Sequence, residues 1–155
     1  MTLITINGFL HLLATATWFG GLIYTNIVLM PSLSAIDASQ RSRLLGAVTK
    51  RFTFLAWGSI IILVITGLIK TPSQMLLNVS SAWGMKLTIK HILVLSMVVV
   101  GLLMTFWLGP KMQSLSPSSG EQPGSGFLKV QKQLSVLARI NSILGVLVLL
   151  LSASI

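Results

Sequence analysis

Four long apolar stretches decide what this chain can fold into. A helix needs about 20 mainly apolar residues to cross the hydrocarbon core of a membrane, and the sequence predicts four such spans at about 3–30, 52–69, 82–108 and 134–155. In lipid every backbone amide must be paired, and apolar runs that do not alternate in polarity are unlike the strands of a membrane barrel. The sequence therefore predicts an all-α integral membrane protein, a four-transmembrane-helix up-down bundle that forms a single domain over residues 1–155.

The composition excludes several kinds of redox and catalytic centre. The chain has no cysteine, which excludes disulfides, iron–sulfur clusters, thiolate zinc sites, blue-copper sites and c-type haem attachment. Asp37 and Glu121 are the only two acidic residues, so a catalytic pair of carboxylates is not expected. Only 8% of the residues are charged, against about 25% in a soluble domain, which agrees with a chain embedded in lipid.

Proline, glycine and polar residues mark the predicted ends of the spans. Proline lacks the amide proton that a helix interior uses, so we expect the first span to stop at Pro31 and the third to close at Gly109 and Pro110. The polar stretch 32–51 is predicted to be partly helical, either lying at the interface or extending the second span. Ser, Pro and Gly dominate residues 114–126, which are therefore predicted to form a flexible loop.

The basic residues are distributed unevenly between the two ends of the predicted bundle. Three lie at the end that also carries both termini: Lys70, Lys86 and Lys90. Eight lie at the opposite end: Arg41, Arg43, Lys50, Arg51, Lys111, Lys129, Lys132 and Arg139. Cytoplasmic loops carry an excess of Lys and Arg, so the eight are predicted in the cytoplasm and both termini outside. This rule and attraction to anionic lipid account for the net charge of +9. The lipid bilayer is the expected partner, and no nucleic acid is expected.

Both histidines lie inside predicted spans at similar depth. His11 is eight residues from Leu3 and His91 is nine from Ala82, which is about 12 and 14 Å along the helices. The first and third spans run in the same direction and can face each other diagonally, where four-helix bundles hold cofactors. Two imidazoles at one depth predict the axial ligands of a b-type haem. Hydrogen bonding between helices, another metal and a proton-transfer role remain alternatives.

Small and cationic side chains near the histidines fit such a haem site. Gly8 and Thr15 flank His11 on either side by about one turn, and Trp18 continues the same face. Three lysines nearer the end of the bundle are candidate partners of the haem propionates: Lys70, Lys86 and Lys90. Lys86 is also an alternative axial ligand, although its five-residue distance from the histidine of that span places it about 140° away around the helix.

Methionine offers a different metal chemistry. Met97 and Met104 are seven residues apart and share one face of the third span. Soft thioether ligands bind Cu(I), whereas methionine is also a common apolar filler of cores. Copper binding is therefore kept as an alternative to haem.

Three stretches resemble a known family of membrane proteins. They are the pattern from His11 to Gly21, with its Trp-Phe-Gly-Gly and the later Pro31; RFTFLAWGSIIILVITGLIK over residues 51–70; and WGMKLTIKH over residues 83–91. These stretches are similar to spans of the copper-resistance D superfamily, so the likeness covers most of the chain. The resemblance implies a membrane protein of a bacterial or archaeal plasma membrane.

That superfamily is in turn similar to the small haem-dependent membrane protoporphyrinogen oxidase of bacteria. The oxidase uses a histidine of its first span and a lysine of its third, and His11 and Lys86 occupy the matching positions. Thr25 and Asn26 depart from the oxidase pattern, and the first span has no arginine. These departures favour a plain cytochrome over the enzyme.

Three functions follow from these observations. The leading prediction is a membrane-embedded b-type cytochrome, an electron-transfer subunit whose haem is held by His11 and His91 and which works with other membrane redox subunits or quinone. The first alternative is a haem-dependent protoporphyrinogen oxidase. The second alternative is a membrane protein of copper uptake or resistance. Whether the chain is an enzyme is left open, with the electron-transfer subunit favoured.

Overall fold

The computed structural model describes residues 2–75, 79–117 and 121–154. Over these ranges the chain forms helices and no strand. The α-helices are α1 (Leu3–Tyr24), α2 (Met30–Ser32), α3 (Ala38–Lys70), α4 (Ala82–Leu102), α5 (Gly109–Ser114) and α6 (Ser125–Ala153). Two π-helical turns (Thr25–Leu29 and Leu103–Leu108) and two 3-10 turns (Leu33–Ala35 and Ser73–Met75) complete the described elements.

Four helical stretches of this part of the chain are long and apolar enough to cross a membrane. They are Leu3–Ala35, Arg43–Lys70, Ala82–Ser114 and Ser125–Ala153. The predicted all-α bundle of four spans is therefore confirmed, and the protein contacts the lipid bilayer. The single-domain assignment of residues 1–155 stays a prediction.

Neighbouring helices of the bundle run antiparallel. α1 packs on α3 and α6, α4 packs on α6, and α3 reaches the π turn of the third span through the rings of Trp57 and Phe106. The contacts between α1 and α3 join His11 to Thr66 and Gly21 to Phe52, so the residue numbers rise on one helix as they fall on the other. α1 and α4 run parallel and are not among the closely packed pairs, which places them diagonally across the bundle.

The predicted stops at Pro31 and at Gly109–Pro110 are wrong, because both helical stretches continue through the proline. Pro31 lies in α2, directly after the π turn Thr25–Leu29, and Pro110 lies in α5, directly after the π turn Leu103–Leu108. A proline ring clashes with the carbonyl of the preceding turn in a regular α-helix. The additional residue in a π turn shifts the hydrogen-bonding register, which accommodates the ring without ending the helix.

The second and fourth helices begin earlier than the apolar runs do. α3 starts at Ala38 rather than residue 52, and α6 starts at Ser125 rather than residue 134. The polar stretch therefore extends the second span, because a helix propagates through polar residues once its turns are formed. The loop predicted over 114–126 is shorter, since Ser114 ends α5 and α6 includes residues 125 and 126. Residues 118–120 of that loop lie outside the described residues, and the flexibility of the loop stays a prediction.

The centre of the bundle is a small apolar cluster. It consists of Trp18, Leu22, Ile60 and Met97, and Met97 is only 1% exposed. Most large apolar side chains elsewhere are exposed on the outside of the bundle, as expected where lipid replaces water. Because lipid removes the hydrophobic drive between helices, close packing of small against large side chains must hold them together.

Candidate functional site

The His11 imidazole is held by a hydrogen-bond chain that ends on the backbone of α3. The Thr66 hydroxyl donates to the carbonyl oxygen of Ile62 at 2.6 Å, a usual bond for threonine inside a helix. The same hydroxyl oxygen lies 2.7 Å from Nδ1 of His11. A hydroxyl has one proton to donate, so it accepts the proton of Nδ1–H. A neutral imidazole then has its lone pair on Nε2, the form in which histidine binds metals.

A second polar side chain of α1 supports the same contact. Asn7 lies one turn before His11 and donates through Nδ2 to the carbonyl oxygen of Thr66 at 3.3 Å. Thr66 therefore accepts one hydrogen bond from each of these two side chains of α1, through its carbonyl and its hydroxyl oxygen. The helix faces explain why: four residues make about one helical turn, so Asn7 and His11 project toward the same neighbour.

The His11 side chain lies on the face of α1 that continues into the apolar cluster. Trp18 follows His11 by seven residues, and Lys90 precedes Met97 by the same number on α4. Seven residues are about two turns and 10 Å, with little change of direction around the helix. Trp18 and Met97 belong to one buried cluster. His11 and Lys90 therefore lie at one level, two turns from it.

An exposed lysine, Lys70, lies nearer the same end of the bundle. It is the last residue of α3, one turn beyond Thr66. We refer to Asn7, His11, Thr66, Lys70 and Lys90 as the His11 cluster.

The His11 cluster contains no acidic group. Asp37 and Glu121 are the only acids in the sequence. Asp37 precedes the N-terminus of α3, so the 33-residue helix separates it from Lys70 by about 50 Å at 1.5 Å per residue. Glu121 precedes α6, at the same end of the bundle as Asp37. No acidic side chain of the sequence therefore lies at the end of the bundle that holds Lys70 and Lys90.

The other predicted ligands lie apart from these contacts. His91 is half-buried and has no hydrogen bond to any residue that the structure describes. It precedes Met97 by six residues, which directs it about 120° away around α4. Lys86 donates through Nζ to the carbonyl oxygen of Ser154 at 3.1 Å, which ties the start of α4 to the end of α6. The pairing of His11 with His91 on one haem stays a prediction.

The flanking residues predicted on α1 have separate roles. Thr15 donates its hydroxyl to the carbonyl oxygen of His11 at 2.7 Å, so it bonds the backbone. A Cβ added at Gly8 would meet nothing within 4 Å, which leaves open space one turn before His11. Trp18 is part of the apolar cluster.

The donors available to a metal ion are few. Within the described ranges no group of three or more His, Cys, Asp or Glu residues could hold a metal. The soft donors on the inner faces are Nε2 of His11 and the thioether of Met97, with Met104 half-buried seven residues further along. These residues lie at successive levels of the bundle rather than around one point.

A second set of polar contacts lies beyond the apolar cluster. Asn26, in the first π turn, donates through Nδ2 to the hydroxyl of Ser142 at 2.9 Å. Trp57 Nε1 lies 3.4 Å from the hydroxyl of Thr105 in the second π turn. Asn141 is 4% exposed and its Oδ1 has no hydrogen-bond partner among the described residues. The sequence analysis did not predict these contacts between helices, nor the contacts of Asn7 and Thr66.

Comparison with known proteins adds one match. The family model for copper resistance protein D matches residues 46–155, which comprise most of α3 and all of α4, α5 and α6. The first span and His11 lie outside the matched residues. No curated protein and no solved structure matches the chain. The resemblance to the haem-dependent oxidase is not supported by these comparisons.

Proposed function

The chain belongs to the copper resistance protein D family, and from that premise we propose that this integral membrane protein carries copper ions in copper uptake or resistance. The match and the four apolar helices support the class of protein. The proposed cargo is Cu(I), because the inner faces offer imidazole and thioether donors and no carboxylate or thiolate.

The orientation of the His11 ring carries this proposal. Thr66 accepts from Nδ1–H and leaves the Nε2 lone pair available, which is the ligand form of histidine. The Met97 thioether lies two turns further along the bundle, about 10 Å, and Met104 lies two turns beyond Met97 on the same face. We propose that Cu(I) binds His11 first and then moves to the thioethers. Several weak sites in series allow an ion to enter and also to leave.

Replacement of Met97 by leucine tests the thioether step. Leucine keeps the apolar volume, so the fold should lose less than about 1.5 kcal/mol, whereas removal of the sulfur should strongly reduce Cu(I) entry into proteoliposomes loaded with a Cu(I) chelator. Met85→Leu is the matched control, because Met85 is on the same helix and 49% exposed. Equal transport by Met97→Leu and the control would show that Met97 packs in the core and does not bind the transported copper.

We also propose the orientation that the basic residues indicate, with both termini outside. The chain has no cysteine, so a single introduced cysteine reports its own side of the membrane. Ser116→Cys should react with an impermeant maleimide only after permeabilisation, and Ser73→Cys, at the opposite end, should react in intact cells. The reverse labelling pattern would show that both termini face the cytoplasm.

A haem-binding electron-transfer protein is a second candidate, favoured by Lys70 and Lys90. Haem b supplies reversible electron transfer when bound. His11 and His91 would hold it, and the two lysines would pair with its propionates. Other redox subunits or quinone would be its partners. An absorption spectrum of the purified protein before and after dithionite separates the candidates, because a sharp α-band indicates low-spin haem and a colourless protein excludes it. No observation favours the oxidase, and we do not propose it.

A further inference from the structure

One buried amide in the interior of the bundle has no partner. Asn141 of α6 is only 4% exposed, and its Oδ1 has no hydrogen bond to any residue that the structure describes. Burying a polar atom without a hydrogen bond is unfavourable, and the surrounding lipid offers no replacement. Such atoms are rare in native proteins, and a bound ion or water is a common reason for them. Asn141 is therefore a candidate for binding a group that is not part of the chain.

Two contacts fix the level of Asn141 relative to α4. Lys86 donates to the carbonyl oxygen of Ser154 near one end of the helix pair, at 3.1 Å. About three turns further along α4, a Cβ added at Gly145 would lie 3.2 Å from Cε of Met97. The residue numbers therefore rise on α4 as they fall on α6. Asn141 lies one turn before Gly145 on α6, so it is level with the position one turn after Met97 on α4.

That position on α4 is the gap between the two thioethers. Gly101 lies four residues after Met97 and three before Met104, about 6 and 4.5 Å along the helix. A Cβ added at Gly101 would meet nothing within 4 Å, so α4 presents only its backbone at this level. Gly145 faces Met97, and residues one turn apart project from nearly the same face of a helix. The Asn141 amide therefore lies at a level midway between Met97 and Met104.

We propose that Oδ1 of Asn141 binds the monovalent cation as it passes between Met97 and Met104, a step that rests on the proposed copper transport. The Asn141 amide has no hydrogen bond to a described residue, so the negative end of its dipole can turn toward an ion. A carbonyl-type oxygen lowers the energy of a positive charge in a low-dielectric interior and binds it weakly enough for release. Cu(I) prefers sulfur, so the thioethers hold the ion and the oxygen shortens the step between them.

The stability of Asn141→Leu without copper tests whether the amide lacks a partner. Leucine has nearly the shape of asparagine, so the variant removes a buried polar group and loses no hydrogen bond. It should therefore unfold at a higher fraction of denaturing detergent than the wild type in a mixed-detergent titration. Asn26→Leu is the matched control and should unfold earlier, because the Asn26 amide donates to Leu22 and Ser142. Equal losses of stability in both variants would show that the Asn141 amide has a partner in the resting bundle, ordered water included, and would overturn the proposal.

Copper entry into chelator-loaded proteoliposomes tests the role of the oxygen. Asn141→Leu should slow Cu(I) entry about tenfold or more, since the interaction of a polar group with a charge is strong. The affinity for Cu(I) in detergent should stay that of the wild type, because His11 and Met97 are unchanged. Asn141→Gln keeps the amide oxygen and should retain most of the entry rate.

The possible outcomes separate this step from copper transport itself. Full entry in Asn141→Leu, with entry reduced in Met97→Leu, would overturn the role of Asn141 and leave the proposed function standing. Equal losses of entry in Asn141→Leu and Asn141→Gln would show that packing rather than the oxygen matters, and would also overturn that role. Absence of Cu(I) entry in the wild type would overturn the proposed function, and this step with it.

Discussion

A His11→Gln variant is expected to lose copper transport. Glutamine can still donate an amide proton to Thr66, so the hydrogen bond between α1 and α3 can survive. It offers no nitrogen lone pair, and the other imidazole, that of His91, is directed about 120° away from the face of Met97. Cu(I) entry into chelator-loaded proteoliposomes should therefore fall to the rate of empty vesicles, while the helical content by circular dichroism stays unchanged.

Two further variants make this result specific. Thr66→Val removes the acceptor of Nδ1–H and should weaken copper binding about 10- to 100-fold, the usual effect of losing the partner of a metal-binding histidine. Thr66→Ser keeps the acceptor and should behave as wild type. His91→Gln is the matched control on α4. Loss of transport in His91→Gln together with full transport in His11→Gln would contradict the copper path proposed here.

A Gly145→Ile variant is expected to disrupt the bundle. A Cβ at Gly145 would lie 2.5 Å from Cε2 and 2.7 Å from Cδ2 of Phe19, and 3.2 Å from Cε of Met97. The Phe19 ring and Met97 fill the space that a side chain would need, so α6 would have to move away from both α1 and α4. Overpacking costs about 1–3 kcal/mol for extra methylenes in a packed core, and isoleucine adds four carbons at the closest point.

The unfolding of purified protein in a mixed-detergent titration measures this effect. Gly145→Ala should give an intermediate loss, and Phe19→Ala should relieve part of the loss in the double variant because it opens the same space. Gly101→Ala is the control, since a Cβ at Gly101 meets nothing within 4 Å. Equal stabilities of Gly145→Ala and Gly101→Ala would show that Phe19 moves aside freely.

The number and type of the spans could be predicted from sequence because lipid imposes a length and an unbroken apolar character. The ends of the helices could not. Pro31 and Pro110 signal a stop in a regular helix, and the π turns before them change that outcome. A π turn arises from tertiary packing and leaves no reliable local pattern in the residues.

The depth of the candidate site within the membrane could be predicted from the sequence, but the directions in which its side chains point could be predicted less well. Counting residues gave the level of His11 within its span, which depends only on the helical rise. The direction of a side chain around its helix depends on how that helix is rotated in the bundle, so adjacent residues such as Lys90 and His91 could not be distinguished. Thr66 was missed because it meets His11 across 55 positions of sequence, a contact that no local motif encodes.

The two π turns divide the bundle into two parts at one level. Thr25–Leu29 begins seven residues after Trp18, and Leu103–Leu108 begins six after Met97, so both lie at one level, just past the apolar cluster. Each is followed by a proline that withholds a backbone hydrogen bond, and hinges in proteins form at such weakened points. The part of the bundle beyond these turns can then bend relative to the part that holds His11. In the copper path proposed above, Met97 lies just before these turns and Met104 lies within one of them, so such bending would move the two thioethers relative to each other.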